Sequence, residues 1–378
     1  MACAKNAIIV GGGIAGMTLA VALQRQGVGV HVVEQGRRQD QLGTGINLQR
    51  NALLALKQAG VLEECLDKGF GWNTVTNRDS SGKVLNKITL PWPDVPGVPG
   101  ALGIMRTTLA EILVRNALAA GARVSYQTTV TRLDQHDDGV EVELSDGRTE
   151  KADILVGADG VYSQVRSMVF GEQHKPLYAG QCAWRYTAPR AKTIEGFTLF
   201  HLPDGGAVGC LPLASDICYY FVLDTCDDPI RYDGADLVSG LAAHLGQYDA
   251  PEIRDVLALI HEGRHISYRP FDILLMPQPW HMGRVVLVGD SAHSLTPQLT
   301  SGGGMAVEGA IVLVEELDRH GSVAEALAAY SARRESRVRP VYENSYRICE
   351  IEKRKSSVDG MAGTQLMVES FKFLTTPY

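Results

Sequence analysis

The apolar run AIIV (residues 7–10) leads straight into GGGIAGMTLA (11–20), and this junction restricts the fold more than any other stretch. Gly11, Gly13 and Gly16 spell G-x-G-x-x-G where a buried strand gives way to a helix. In that setting the first glycine permits a tight turn. The second lets backbone approach a pyrophosphate, and the third lets helix pack on strand. Ile14 and Ala15 sit at the opening of the helix, whose unpaired N–H groups favour phosphate. Past the helix (14–26), GVGVHVVE (27–34) returns to a β-branched strand, a βαβ unit that calls for a parallel sheet. Glu34 ends that strand, where a carboxylate accepts from adenosine ribose hydroxyls and repels a 2′-phosphate. The bland alternative is a glycine-rich bend beside a solvated Glu34. Strand, helix and acid together favour a dinucleotide site.

The rest of the chain limits what such a site can serve. Its 378 residues allow two domains, and 45% hydrophobic with 21% charged residues is an ordinary globular mix. A net charge of −7 gives no reason to expect a nucleic-acid partner. The seven cysteines are dispersed with no C-x-x-C, which reads as reduced thiols without a disulfide frame, and metal-ligand spacing is absent. No apolar run is long enough to span a bilayer. A first strand near residue 6 leaves no room for a signal peptide, so the expectation is a cytoplasmic α/β enzyme.

Further along, the pattern predicts helices over 50–67, 107–120 and 303–319 and a loop at PWPDVPGVPG (91–100). Alternating segments over 123–160 turn at DDG and SDG, and RVVLVGD (284–290) is a buried, parallel-type strand. Residues 178–270 read as an antiparallel sheet. The expected architecture is α/β with an α+β insert. A Rossmann-like dinucleotide domain (1–70, 100–175 and 283–340) carries an inserted antiparallel-sheet substrate domain (71–99 and 176–282). A helical segment (341–378) follows.

Three more stretches specify the dinucleotide: MRTTLAEILV (105–114), DILVGADGVYSQVR (153–166) and GRVVLVGDSAHSLTPQLTSGGGMAVEGA (283–310). With the opening motif, in this order, they resemble the group A flavoprotein aromatic hydroxylases, FAD monooxygenases such as para-hydroxybenzoate and salicylate hydroxylase. The likeness runs from about residue 6 to 340. It implies FAD, with Gly11, Gly13 and Gly16 at the pyrophosphate, Glu34 at the adenosine ribose and Arg106 along the pyrophosphate and ribityl chain. It further implies Asp290 at a ribityl hydroxyl and Asp159 in a motif tied to both FAD and NAD(P)H. Pro297, Gly302, Gly303 and Gly304 would border the isoalloxazine ring. The family pattern Gly-Gln-Gly is Thr300-Ser301-Gly302 here, and its Glu-Asp is Glu308-Gly309.

The activity implied is NAD(P)H- and O2-dependent hydroxylation of an electron-rich aromatic or heteroaromatic ring, phenolic or pyridine-type, through a flavin C4a-hydroperoxide. An FAD dehydrogenase on the same fold is the alternative, and an NAD protein without flavin a third reading. No G-x-S-x-G elbow or P-loop appears, and neighbouring Asp290, Ser291 and His293 do not make a triad. Strand alternation sets Tyr219 and Phe221 opposite Tyr220, and Trp184 and Tyr186 opposite Arg185. Tyr219, Tyr220, Trp184 and His201 are the candidate substrate contacts, with Pro297 and Tyr219 nearest the chemistry. His293 reads as structural. Both a monomer and a homodimer fit the sequence.

Overall fold

A computed structural model describes residues 2–37, 44–203, 205–229, 232, 234–260, 266–354 and 357–378. Strand β1 (Asn6–Val10) turns into α1 (Ile14–Arg25) and returns as β2 (Gly29–Glu34), parallel to β1. Gly11 has φ +111°, and a Cβ on Gly16 would lie 2.0 Å from the Gly11 carbonyl oxygen. Only glycine lets strand and helix approach this closely. β3 (Gly45–Gln49) leads to α2 (Arg50–Gln58), α3 (Leu62–Lys68) and β4 (Phe70–Trp72). The single helix expected over 50–67 is thus two, broken at Gly60 with φ +70°.

β5 (Thr74–Asp79) and β6 (Val84–Thr89) form a hairpin, and β7 (Ala101–Met105), α4 (Arg106–Ala119) and β8 (Arg123–Tyr126) follow. β9 (Val130–Gln135), β10 (Val140–Leu144) and β11 (Thr149–Ala152) make an antiparallel meander, turning at the two glycine-bearing sites expected. Next come β12 (Ile154–Gly157), α5 (Gln164–Phe170), β13 (Leu177–Pro189), β14 (Phe197–His201), β15 (Ala207–Pro212) and β16 (Ile217–Thr225). Helices α6 (Gly234–Leu245) and α7 (Pro251–Leu259) interrupt the strand-rich middle. They precede β17 (Ser267–Leu275), β18 (His281–Met282), β19 (Val285–Leu287) and β20 (His293–Ser294). α8 (Gly302–Arg319), α9 (Val323–Lys353) and α10 (Ser357–Leu374) end the chain.

The first sheet has the order β18-β19-β12-β1-β2-β8, parallel except for β18. Ile9 and Val32 on one face pack with α1 and α8; Ile8, Val10 and Val33 on the other pack with the meander. Both faces are covered, as a parallel sheet requires. The second sheet, β20-β17-β13-β16-β15-β14-β5-β6, is largely antiparallel, with β14 and β5 paired in parallel. α6 and α7 cover one of its faces through Leu241, Leu245, Ile253 and Val256. The other face meets the small sheet β3-β7-β4 so closely that a Cβ on Gly103 would lie 2.0 Å from the Pro212 carbonyl oxygen.

The boundary expected at residue 340 falls inside α9, which runs through Pro340. Arg334 and Arg337 before it pair with Glu308, and Ser345 after it bonds Thr296, so both halves are anchored. Those contacts outweigh the one helical hydrogen bond the proline removes. Among the described residues no helix is long and apolar enough to cross a membrane.

Candidate active site

Three turns at the carboxyl ends of the parallel strands converge. A Cβ on Gly11 would lie 2.3 Å from the Ala158 carbonyl oxygen, and one on Gly289 would lie 3.0 Å from Ala15 Cβ. The loops after β1, β12 and β19 are therefore in contact. Glu34 fixes the first of them: its carboxylate accepts from Gly12 N at 2.6 Å and Gly36 N at 2.7 Å. Gly13 is exposed, and a Cβ there would meet nothing within 4 Å. It begins α1 with no side-chain cap, so the first N–H groups of the helix face open space.

α8 repeats the device. Its N-cap Ser301 bonds Leu299 O at 2.8 Å and does not cap the helix, and Gly302 likewise faces open space. Thr300, where the family pattern has glycine, takes the left-handed φ of +49°. That costs on the order of 1 kcal/mol for a residue with a Cβ. Asn47 and Gln49 offset it by donating to the Thr300 hydroxyl at 3.0 and 3.1 Å. The buried Asn47 Oδ1 and Gln49 Oε1 have no partner within the protein.

Arg106, at the start of α4, and Asp290, after β19, are accessible to solvent-sized molecules yet surrounded by protein, so they line an internal cleft. Burial pushes the Asp290 carboxyl above its usual range, while Arg106 pulls it down. Burial lowers Arg106, and Arg185 acts in the same direction. Tyr219 also lies within the electrostatic reach of Arg106. Tyr219 and Phe221 stack at 5.7 Å, Phe221 stacks on Phe197 at 6.0 Å, and Arg185 sits over Phe271 at 5.9 Å. A Cβ on Gly45 would lie 2.9 Å from Tyr219 Cβ, which puts β16 against β3.

The sheet separates the other substrate candidates by face. Tyr220 and Trp184 are not in the cleft. They belong to the helix-covered core, with Trp184 against Gly240 of α6 and Tyr220 packed with Cys210 and Cys218. Strand alternation is the reason, since their neighbours Tyr219 and Arg185 take the cleft side. His201 shares the face of Tyr219 but lies two strands away, bonded to Asn77 Oδ1 at 2.8 Å. Asp159 uses one carboxylate oxygen for Ser163 Oγ and the other for Val165 N at 3.0 Å, tying down the start of α5. Pro297 is half-buried in the turn before α8.

His293 is fully buried 5.3 Å from the Trp280 ring, with no partner for either ring nitrogen; burial and then Arg334 push its pKa down to about 3. Burial pushes the Glu308 carboxyl up, but Arg334 and Arg337 outweigh it and hold it below its usual range. The sequence reading missed Arg185, Asn47 and Gln49. Alternation sets Arg185 opposite Trp184, but only the register of β13 against β16 brings it to the sheet face of Tyr219; the two amides carry no motif.

The open backbone at Gly13 and Gly302, two uncapped helix starts and orphaned amide oxygens suit a dinucleotide with a hydrogen-bonding ring. Residues 5–345 match the family described as FAD binding domain. The chain belongs to this family. It is an FAD-dependent monooxygenase of the aromatic hydroxylase group. Among its relatives, aurachin C monooxygenase/isomerase of Stigmatella aurantiaca is 30% identical over 91% of this chain and 88% of its own. FAD-dependent urate hydroxylase of Klebsiella oxytoca is 29% identical over 92% and 90%. The structure of Klebsiella pneumoniae HpxO complexed with FAD and uric acid superimposes with a TM-score of 0.83, 25% identity and coverage of 99% and 97%. NAD(P)H is the reductant typical of this flavoprotein group, and FAD is its cofactor.

Proposed function

We propose that this monooxygenase uses NAD(P)H and O2 to hydroxylate an electron-rich ring, phenolic or pyridine-type, held between the flavin site and the eight-stranded sheet. The observation that carries this is the grouping of Arg106, Arg185, Asp290, Tyr219 and Phe221 about one cleft. Two permanent cations face one carboxylate whose ionisation burial opposes. That excess of positive charge supports a ring carrying an ionised hydroxyl or carboxylate. Tyr219 and Phe221 offer the flat apolar wall such a ring stacks on.

FAD, held by the residues named below, would supply the redox chemistry that activates O2 for transfer to the ring. The chain's own part is to bind, orient and exclude water. Gly11, Gly13 and Gly16 with the start of α1 would receive the pyrophosphate, and Glu34 the adenosine ribose. Arg106 and Asp290 would hold the ribityl side, and Pro297 with Gly302, Gly303 and Gly304 the ring edge. Asp159 shapes the adjoining turn.

Turnover with ¹⁸O2 in ordinary water tests the reading. One heavy oxygen in the product, and arrest after a single flavin reduction without O2, are expected. Product free of ¹⁸O, with turnover sustained under nitrogen by an artificial acceptor, would replace it with the dehydrogenase alternative.

A further inference from the structure

Two of the thiols in and beside the eight-stranded sheet touch each other. Cys182 on β13 and Cys226, just past β16, place their Sγ atoms 3.3 Å apart. The approach is built into the strand. The register of β13 against β17 shifts between Tyr178 and Cys182, and Gly180 within that shift has φ +80°. An irregularity of this kind re-aims the side chains beside it. Cys226 N donates to Gly180 O at 3.3 Å and holds the second cysteine across from the first.

Two phenols close the group. Tyr178 Oη lies 2.9 Å from Cys226 Sγ and 3.4 Å from Cys182 Sγ, and Tyr268 Oη lies 3.5 Å from Cys226 Sγ. Cys182 is fully buried, and burial raises its pKa. Cys226 is half-buried, whereas Cys65, Cys210, Cys218 and Cys349 are buried and their thiols are pushed upward by burial. Cys226 is thus the more exposed of the pair, with a second sulfur already in contact beside it, whereas half-buried Cys3 has no sulfur among its hydrogen-bond contacts.

We propose that Cys182 and Cys226 form an oxidative modification site, closed to a disulfide by hydrogen peroxide. Cys226 Sγ attacks one peroxide oxygen, the O–O bond breaks, and a sulfenic acid and water form. Cys182 Sγ then attacks the Cys226 sulfur, and the sulfenic hydroxyl leaves with the Cys182 proton as a second water. The two thiols lose two electrons and peroxide gains them. A disulfide is about 2.05 Å long, so the sulfurs close by roughly 1.3 Å. The link reaches the active site through Gln181, whose side chain accepts from Gln298 at 2.8 Å in the turn that carries Pro297.

The test needs no turnover, so it stands apart from the hydroxylation reading. The reduced, FAD-loaded full chain is freed of reductant, exposed to hydrogen peroxide, alkylated and digested without reductant. A peptide pair joined through Cys182 and Cys226, loss of two of the seven thiols and recovery with dithiothreitol are expected. Cys226→Ser removes the cross-link, and Cys182→Ala leaves Cys226 as a trappable sulfenic acid. The wild-type peptide map decides the matter even where a variant folds poorly. Both cysteines alkylated after peroxide has oxidised exposed methionines, or Cys226 as sulfinic acid without the link, would overturn the site.

Discussion

The two ends of the cleft are built from different parts of the chain. At the end proposed for the cofactor the available groups are backbone atoms, presented by Gly11, Gly13 and the uncapped starts of α1 and α8. At the end proposed for the substrate they are side chains, Arg106, Arg185, Tyr219 and Asp290, from four separate elements. A backbone site depends on what is missing, namely a Cβ, and its residues are close in sequence. A side-chain site depends on which strand faces look inward, and changing one residue alters recognition while the frame stays intact.

Substituting the glycines should break this contrast most forcefully. Gly16→Ala drives a methyl to 2.0 Å from a backbone oxygen, so a loss of roughly 3 kcal/mol or more is expected, with no FAD retained. Gly13→Ala adds a methyl to open space, so the protein should melt as wild type while FAD affinity falls about tenfold, near 1.4 kcal/mol. Melting with and without FAD, plus a flavin titration, reads both. A Gly13→Ala protein as unstable as Gly16→Ala would contradict a backbone-lined cradle.

The buried turn that follows β19 should also carry an acid-sensitive group. His293 is held neutral with its pKa near 3, whereas its unfolded value is ordinary. The unfolded chain thus binds the extra proton first. The stability tied to this group is complete above pH ~6.5 and is lost by roughly 1.4 kcal/mol per unit as pH falls toward 3. Urea unfolding at pH 7 and 5 should show a drop of about 2 kcal/mol in wild type that His293→Leu lacks. Equal drops in both proteins would move the acid sensitivity elsewhere.

At the ring end the neighbouring tyrosines separate recognition from scaffold. Tyr219→Phe should lower kcat/KM about tenfold, near 1.4 kcal/mol, and release more hydrogen peroxide per NAD(P)H. Tyr220→Phe should leave kcat/KM unchanged and cost about 1 kcal/mol of stability, since its hydroxyl makes a long 3.5 Å contact with Pro189 O and a weak hydrogen bond with the Cys218 thiol. Matching kinetic losses in both would mean the strand faces are not distinct in function.

The smallest effect belongs to a glycine that has no such duty. Gly309 lies inside α8, and a Cβ there meets Tyr330 Oη at 3.5 Å and Arg334 Nε at 3.7 Å, ordinary contacts. Gly309→Ala should stabilise the fold by about 0.5–1 kcal/mol, with FAD binding unchanged. A destabilised variant would show that this position, too, needs glycine.

The βαβ unit was legible because its signals are local: strand, turn glycines, helix and Glu34 lie within thirty residues. The meander turns and α8 were legible for the same reason. The break at Gly60 and the continuity of α9 through Pro340 were not, because packing decides whether a helix ends at a breaker residue. In the site, alternation correctly divided Tyr219 from Tyr220 but left open which of them faced the cleft. Alternation also set Arg185 opposite Trp184, but which sheet neighbour it joins depends on strand register, so no role could be read for it.

Local sequence was enough to specify a tight strand–helix turn at residues 11–16, since the turn and the close approach demand glycine at fixed spacing whatever surrounds them. Which face of the eight-stranded sheet is open to a cleft was decided by tertiary structure alone. α6 and α7 bury one face and β3-β7-β4 stands over the other. Alternation sorts the side chains into two faces, but only what packs against each face decides which one is sealed.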